Sequence, residues 1–355
     1  MKAGLGDIRI KTIPEDFLVQ ESKSMFTWLE NQPGGYSLLV LGKKGYSTFE
    51  AINIIASDFN INVNMVGYAG LKDEDAVTYQ YITIPSNIDA NDRIVKFNKN
   101  YRTNDKFILL KHHGYLKSAI KIGQLQGNAF RIVLRNVPKN IANLIQKLKK
   151  KRVIFPNYYD TQRFGIPNMP KKTHLIGKAL YEKKYDLAMK YMKEGMPLDW
   201  IEISKYMSKD NFLKKINRSK FSFYYNAYTS KMFNNYLQYY ISKKIDYKEK
   251  CYDGITYAMP KNGKSLLCLD GELEKICVPR YEPIANGETS LKYFYRYSYI
   301  DTIMNVNKFE KDSLFAGKYS VSVDFLLQSG CYATMAIKQF LCDVENQIHK
   351  LDEDY

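Results

Sequence analysis

The chain has 355 residues, 45% of them hydrophobic and 25% charged, which is enough for two domains and too apolar for disorder or a fibrous repeat. No apolar run approaches the ~20 residues of a membrane span, and the opening MKAGLGDIRIKTIPEDF lacks an apolar secretory stretch, so a cytoplasmic protein is expected. The net charge of +16, from 53 Lys and Arg against 37 Asp and Glu, favours a polyanionic partner, nucleic acid first, because bound phosphates release condensed counterions.

Nucleotide bias is a second source of that charge, since Lys, Asn, Ile and Tyr are all abundant. The five cysteines, Cys251, Cys268, Cys277, Cys331 and Cys342, are widely spaced with no CxxC pair, which predicts reduced and mostly buried thiols. Adjacent His112 and His113 do not suit a zinc chelate, and His174 and His349 stand alone; no metal is expected.

In chain order, YSLLVL at 36–41 reads as a strand. Ser47 or Thr48 then caps a helix over 49–58, with Ala51, Ile52, Ile54 and Ile55 as its apolar stripe. Strands are predicted at 65–69, 78–84, 106–111 and 129–136. In the last of these, Phe130, Ile132 and Leu134 share one face and Ala129, Arg131, Val133 and Arg135 the other. KNIANLIQKLKKKR at 139–152 reads as an amphipathic helix with a basic, solvated end that also suits a phosphate. Helices are predicted over 175–195 and 221–243, short Gly-punctuated strands and loops over 245–300, a strand at 319–327 and a helix over about 332–345. The texture changes near 170 and 300, so residues 1–169 and 301–355 are expected to build one α+β domain, a mixed sheet flanked by helices, interrupted by an inserted α/β lobe at 170–300.

The most informative stretch is VGYAGLKDEDAVTYQYITI at 66–84, where Gly67 and Gly70 precede Lys72, Asp73, Glu74 and Asp75 at the mouth of a strand. Such a loop can present a carboxylate at a sheet rim, although most acidic loops are only solvated. Asp73 and Asp75 have the spacing of the first two ligands of a calcium loop, but Thr78 stands where Gly is needed and Ile84 where the bidentate Glu belongs. Neither GxxxxGK[ST] nor GxGxxG is present, so a nucleoside-triphosphate or nicotinamide enzyme has no motif to rest on.

GLKDEDAVTYQ resembles the GxKDxxAxTxQ signature of the TruD family of pseudouridine synthases. KTIPEDFLVQE at 11–21, GQLQGNAFRIVLRNV at 123–137, FPNYYDTQRFGI at 155–166, FYYNAYTSKMFNNYL at 223–237 and SGCYATMAIKQFL at 329–341 agree with the same family in order and spacing. The resemblance implies a pseudouridine-synthase-type mixed sheet interrupted by a family-specific lobe, with tRNA as partner, uridine 13 of the D arm as the usual target, other RNAs as substrates of some members, and no cofactor. No obligatory protein partner is evident. It maps the catalytic carboxylate onto Asp73. Lys11 and Lys72 are the candidate cations beside it, Lys11 favoured, with Lys72 otherwise a strand-edge charge. Asn128 and Phe130 match groups that contact the target nucleotide, Phe130 having a core role as the alternative. Gln162, Arg163 and Phe164 match a further motif of the cleft, and Arg163 suits an ion pair or an RNA phosphate equally. His174 is expected to cap or pack.

The chemistry suits these residue types: the N1–C1′ bond of uridine breaks, the base turns, and C5 joins C1′, while a carboxylate stabilises or traps the cationic sugar. A flipped base needs an aromatic wall and amide hydrogen bonds. Two departures from the family pattern stand out: Tyr159-Asp160 where Phe-Gly is usual, which adds a charge near the cleft, and Lys338-Gln339 where Arg-Glu is usual. They bear on specificity more than on activity. Two rivals remain: an RNA-binding or RNA-folding protein without turnover, and a base-exchanging tRNA transglycosylase.

Overall fold

The protein is described as a computed structural model, in which residues 5, 7–22, 35–86, 90–204, 218–269, 271, 273–283 and 289–353 are described. The chain divides into two compact units, Gly6–Arg152 with Thr302–Gly330, and Val153–Asp301 with Cys331–Tyr355.

The first unit contains β1 (Phe17–Glu21), β2 (Tyr36–Lys44), α1 (Thr48–Asp58), β3 (Gly67–Tyr68), β4 (Val77–Pro85), α2 (Ala90–Asn100), β5 (Phe107–Leu116), β6 (Gly127–Val137) and α3 (Lys139–Leu148). The chain leaves it within β7 (Lys150–Pro156) and, after the elements of the second unit, returns within β12 (Tyr299–Lys311), which precedes β13 (Tyr319–Gln328). A nine-stranded mixed sheet runs in the order β5-β2-β4-β1-β6-β13-β12-β7, with β3 paired to β4. The β1–β4 pair is parallel, whereas β1–β6, β6–β13, β12–β13, β2–β4 and β2–β5 are antiparallel.

Alternation along these strands sorts the faces. Leu39 and Leu41 of β2, Ile82 and Ile84 of β4, and Ile108 and Leu110 of β5 pack under Ala51, Ile52, Ile55 and Ala56 of α1 and under Ile94 and Phe97 of α2. A reciprocal box starts α1: Ser47 Oγ accepts from Glu50 N at 3.2 Å, and the Glu50 carboxylate accepts from Ser47 N at 2.7 Å. In β6, Phe130, Ile132 and Leu134 are buried as the alternation predicts.

Helix α3 is shorter than the basic pattern suggested. It ends at Leu148, Lys149 takes a left-handed conformation at φ 47°, and Lys150–Arg152 open β7. The continuous apolar run Val153-Ile154-Phe155 is buried, and such a run favours a strand over further helix.

The second unit holds α4 (Thr173–Tyr181), α5 (Tyr185–Gly195), α6 (Pro197–Ser204), α7 (Arg218–Lys244), the hairpin β8 (Tyr247–Tyr252) and β9 (Ile255–Pro260), the ribbon β10 (Lys275–Pro283) and β11 (Thr289–Tyr297), and α8 (Ala333–Glu353). The single helix expected over 175–195 is two, broken by Lys183 at φ 57°. Helix α4 lies close to α7 because Gly177 has no Cβ; one added there would sit 2.0 Å from Tyr224 O. Ile176, Leu180, Met192, Tyr224 and Tyr225 form the core of this helical layer.

The cysteines are free, as predicted, but not mostly buried: Cys251, Cys268 and Cys277 are exposed, Cys331 is half-buried and Cys342 is buried. Cys251 and Cys277 lie on the exposed faces of two-stranded ribbons, where alternate positions have no layer above them. Among the described residues, no helix is long and apolar enough to cross a membrane.

Candidate active site

The acidic loop between β3 and β4 is fastened from beneath. Buried Lys43 donates through Nζ to the carbonyls of Tyr46, Lys72 and Asp73, at 3.0, 3.2 and 2.7 Å. Burial pushes the Lys43 ammonium down to about 8, and the charges of Asp73 and Glu74 oppose that shift. Thr48 Oγ1 accepts from Lys72 N at 2.9 Å, and Gln80 Nε2 donates to Gly70 O at 3.2 Å. The Gln of the signature therefore holds the backbone of the loop that carries the aspartate.

At the loop's rim the Asp73 carboxylate is bonded to Lys11 Nζ. The Asp73 side chain is 45% exposed and that of Lys11 only 10%, so the carboxylate remains reachable while its partner is enclosed. The Lys11 ammonium also lies 4.1 Å from the centroid of the Phe17 ring, a cation–π contact. Phe17 meets Phe130 edge-on at 6.0 Å, and Phe130 stacks on Phe325 at 5.5 Å and 22°. Asp73 is thus joined through Lys11 and Phe17 to the aromatic group on β6.

Lys72 does not share this role. Its Nζ pairs with buried Glu21 at 2.6 Å, and the other Glu21 oxygen accepts from Tyr81 N at 2.8 Å. Glu21 is directly opposite Asn128 in the β1–β6 register. The Asn128 Oδ1 is buried with no hydrogen-bond partner, an unused acceptor two residues before Phe130 on β6.

Lys11 adopts φ 53°, a left-handed conformation that a lysine holds only when its surroundings enforce it. The enforcement comes from Asp16. One of its oxygens accepts from Thr12 N and Ile13 N at 3.1 and 3.2 Å, and the other pairs with Arg135 Nε at 2.8 Å. Arg135 also reaches Asp312 at 3.1 Å. Burial disfavours the guanidinium charge, but Asp16 and Asp312 outweigh it and raise its pKa.

In the second unit, Gln162 is exposed and Arg163 half-buried, its Nε donating to Ser230 Oγ at 3.2 Å and its guanidinium 5.9 Å from the Phe223 centroid. Phe164 is wholly buried, edge-on to His174 at 5.3 Å. His174 packs, as expected, and burial with the charges of Lys231 and Lys172 pushes it down to about 4. Asp160 corrects an expectation: its charge is not presented near a cleft but fully buried, bonded to Lys338 and Thr334 and capping the turn Thr161–Arg163 through Thr161 N at 2.6 Å.

Phe17, Glu21, Asp16, Arg135 and Lys43 were not singled out from sequence. The first three lie inside KTIPEDFLVQE, where only Lys11 carried a role. The partner of Asp16 is 119 residues away, and local pattern has no signal for it. A groove of about 810 Å³ in the first unit, lined by Val40, Gly42, Tyr79 and Leu109 among others, contains none of the residues joined to Asp73.

A crystal structure assigned to tRNA pseudouridine synthase D of Methanosarcina mazei matches 96% of this chain and 94% of its own, at 19% identity and a TM-score of 0.60, which defines the fold as that α+β class. The family profile described as tRNA pseudouridine synthase D (TruD) matches residues 2–218, and the chain belongs to that family. The tRNA pseudouridine synthase D of Aquifex aeolicus is 34% identical over 186 residues, 52% of this chain and 46% of the relative. The match thus spans about half that relative's length. A Methanococcus maripaludis protein named as a tRNA pseudouridine synthase D is 27% identical over 92% of this chain and 97% of its own.

Proposed function

We propose that this protein isomerises uridine to pseudouridine in tRNA, with Asp73 as the catalytic carboxylate and uridine 13 as the target. The observation that carries the reading is the Asp73–Lys11 pair, a reachable carboxylate on a fastened loop, joined through Phe17 to Phe130. The family's relatives are named for this activity on tRNA.

Asp73 meets C1′ of an extruded uridine and stabilises or traps the cationic sugar as N1–C1′ breaks. The freed base turns, C5 bonds to C1′, C5 loses its proton and N1 gains one, so the reaction is a balanced isomerisation. Asn128 Oδ1 suits an N–H of the base, and the Phe130 ring the wall against which the base turns. Lys11 aims the carboxylate. Lys72 acts one step back, holding Glu21 between β1 and β4. Gln162 and Arg163 take the RNA strand, Phe164 supports their turn from the core, and residues 170–300 form the family's inserted lobe.

Tritium at C5 of uridine in tRNA reports the step directly. The wild type releases it to water with no free uracil, and Asp73→Asn lowers the rate at least ~10³-fold, about 4 kcal/mol of barrier. Binding without release supports the RNA-binding rival, and free base the transglycosylase.

A further inference from the structure

We infer that the β10–β11 ribbon is a second RNA contact, a stacking platform for an unpaired stretch of the substrate RNA. The inference deepens the proposed function by giving the tRNA a footing remote in sequence from Asp73. In the antiparallel register Tyr297, Tyr295 and Tyr293 lie opposite Lys275, Cys277 and Pro279, and residues directly opposite share a face. Ile276 and Val278, on the other face, are buried, and β10 packs on α7. On the tyrosine face, Tyr281 packs on Tyr181 and Tyr225, but Tyr293, Tyr295 and Tyr297 are 66%, 72% and 39% exposed. Three rings in a row outside the core mark an interaction surface rather than incidental exposure.

Three features select RNA as the occupant. Alternate residues of a strand are ~6.8 Å apart, about twice the 3.4 Å base-stacking step, so neighbouring rings are spaced to admit a base between them. The Lys275 ammonium, on the tyrosine face, lies 4.7 Å from the Tyr297 centroid, which sets a cation within reach of a phosphate backbone, while Arg280 and Lys292 lie opposite each other on the other face of the ribbon. The ribbon carries three exposed cations, Lys275, Arg280 and Lys292, the fourth, Arg296, being buried, against one carboxylate, a balance that suits a polyanion and not a general apolar partner. A row of rings flanked by a cation is how a single strand is held without sequence reading.

The platform is also anchored. Arg296 bonds through Nη2 to Asn157 O and Oδ1 at 2.9 and 2.7 Å and lies 4.1 Å from the Tyr159 centroid, while Asn157 Nδ2 donates to Tyr297 O at 3.0 Å. The base of the ribbon is therefore fixed to the segment that leads into Gln162 and Arg163.

The test uses the full chain with unmodified tRNA transcript, a twelve-nucleotide oligouridine and a duplex of the same length as probes. Tyr293→Ala/Tyr295→Ala raises the Kd for tRNA and oligouridine about tenfold or more, raises KM alike, and leaves kcat at saturating tRNA and thermal unfolding unchanged. Tyr293→Phe/Tyr295→Phe, which keeps the rings, restores the Kd. An unchanged Kd in the alanine variant overturns the inference, as does a loss confined to the duplex or a wild-type dimer that the variant dissociates while tRNA binding stays the same. A wild type that binds tRNA and forms no pseudouridine refutes the catalytic reading alone, since the Kd comparison still decides the platform.

Discussion

Lys338 Nζ lies 2.5 Å from Asp160 Oδ1, and both side chains are fully buried. One residue from each of the two departures from the family pattern is thus the other's partner. The ammonium also lies 4.2 Å from the Tyr252 centroid and 5.5 Å from that of Tyr257, so the pair sits in an aromatic surround. Its neighbour Gln339 is buried too, donating to Pro260 O and to Asp343 Oδ1, both at 2.9 Å. These departures belong to the packing of α8 on its own unit, and a change in substrate choice is not needed to account for them.

Removing one partner of this pair leaves a buried charge uncompensated. Lys338→Met is expected to lower unfolding free energy by about 3–5 kcal/mol, whereas Asp160→Asn/Lys338→Met returns most of it. Urea denaturation of both variants checks this. Burial disfavours the Asp160 carboxylate, but Lys338, Thr334 and Thr161 N together lower its pKa. The stabilisation is therefore present above the unfolded carboxylate pKa and is lost as pH falls through the lower folded value. In the double variant this acid dependence is reduced.

His174 shows the complementary case. Its folded pKa, about 4, lies below the ordinary 6.5, so the neutral ring is favoured on folding. The contribution is complete above ~6.5 and is lost as pH falls from there to about 4, on the order of 3 kcal/mol in all. Replacing His174 by Phe flattens stability over that window in a series of thermal melts.

The Asp16–Arg135 pair tests how the Lys11 turn is held. Arg135→Met leaves two buried carboxylates, Asp16 and Asp312, without their cation and is expected to cost about 3–5 kcal/mol. Arg135→Lys recovers only part, because one ammonium cannot reproduce the separate Nε and Nη1 contacts. In both, kcat for tRNA falls more than KM rises, since the turn aims Lys11.

Lys11→Met removes the partner of Asp73 and keeps the stem over Phe17. Turnover is expected to fall ~10²- to 10³-fold, about 3–4 kcal/mol, with tRNA Kd within about twofold. A large rise in Kd with unchanged kcat would instead make Lys11 a phosphate contact.

Much of the first unit was legible because its strands alternate cleanly, as in Phe130-Ile132-Leu134, and because Ser47 or Thr48 marks a helix start. Element ends were less so. Lys149 and Lys183 turn left-handed where charge and periodicity both argued for continued helix, and that choice depends on what the following residues pack against. The GLKDEDAVTYQ loop was found from its signature, yet what fastens it, Lys43 from β2 and Thr48 from α1, comes from 24 to 30 residues away. Asp160 and Lys338, 178 residues apart, look like two unrelated departures until the fold brings them together.

The role of Asp73 is tested most directly by where pseudouridine forms when unmodified tRNA is treated with wild-type protein and with Asp73→Asn, mapped nucleotide by nucleotide. The expected result is pseudouridine at position 13 with the wild type and none there with the variant, both proteins binding the tRNA equally well. Equal modification by the two proteins, or none by the wild type under conditions where it binds, would contradict the assignment of Asp73.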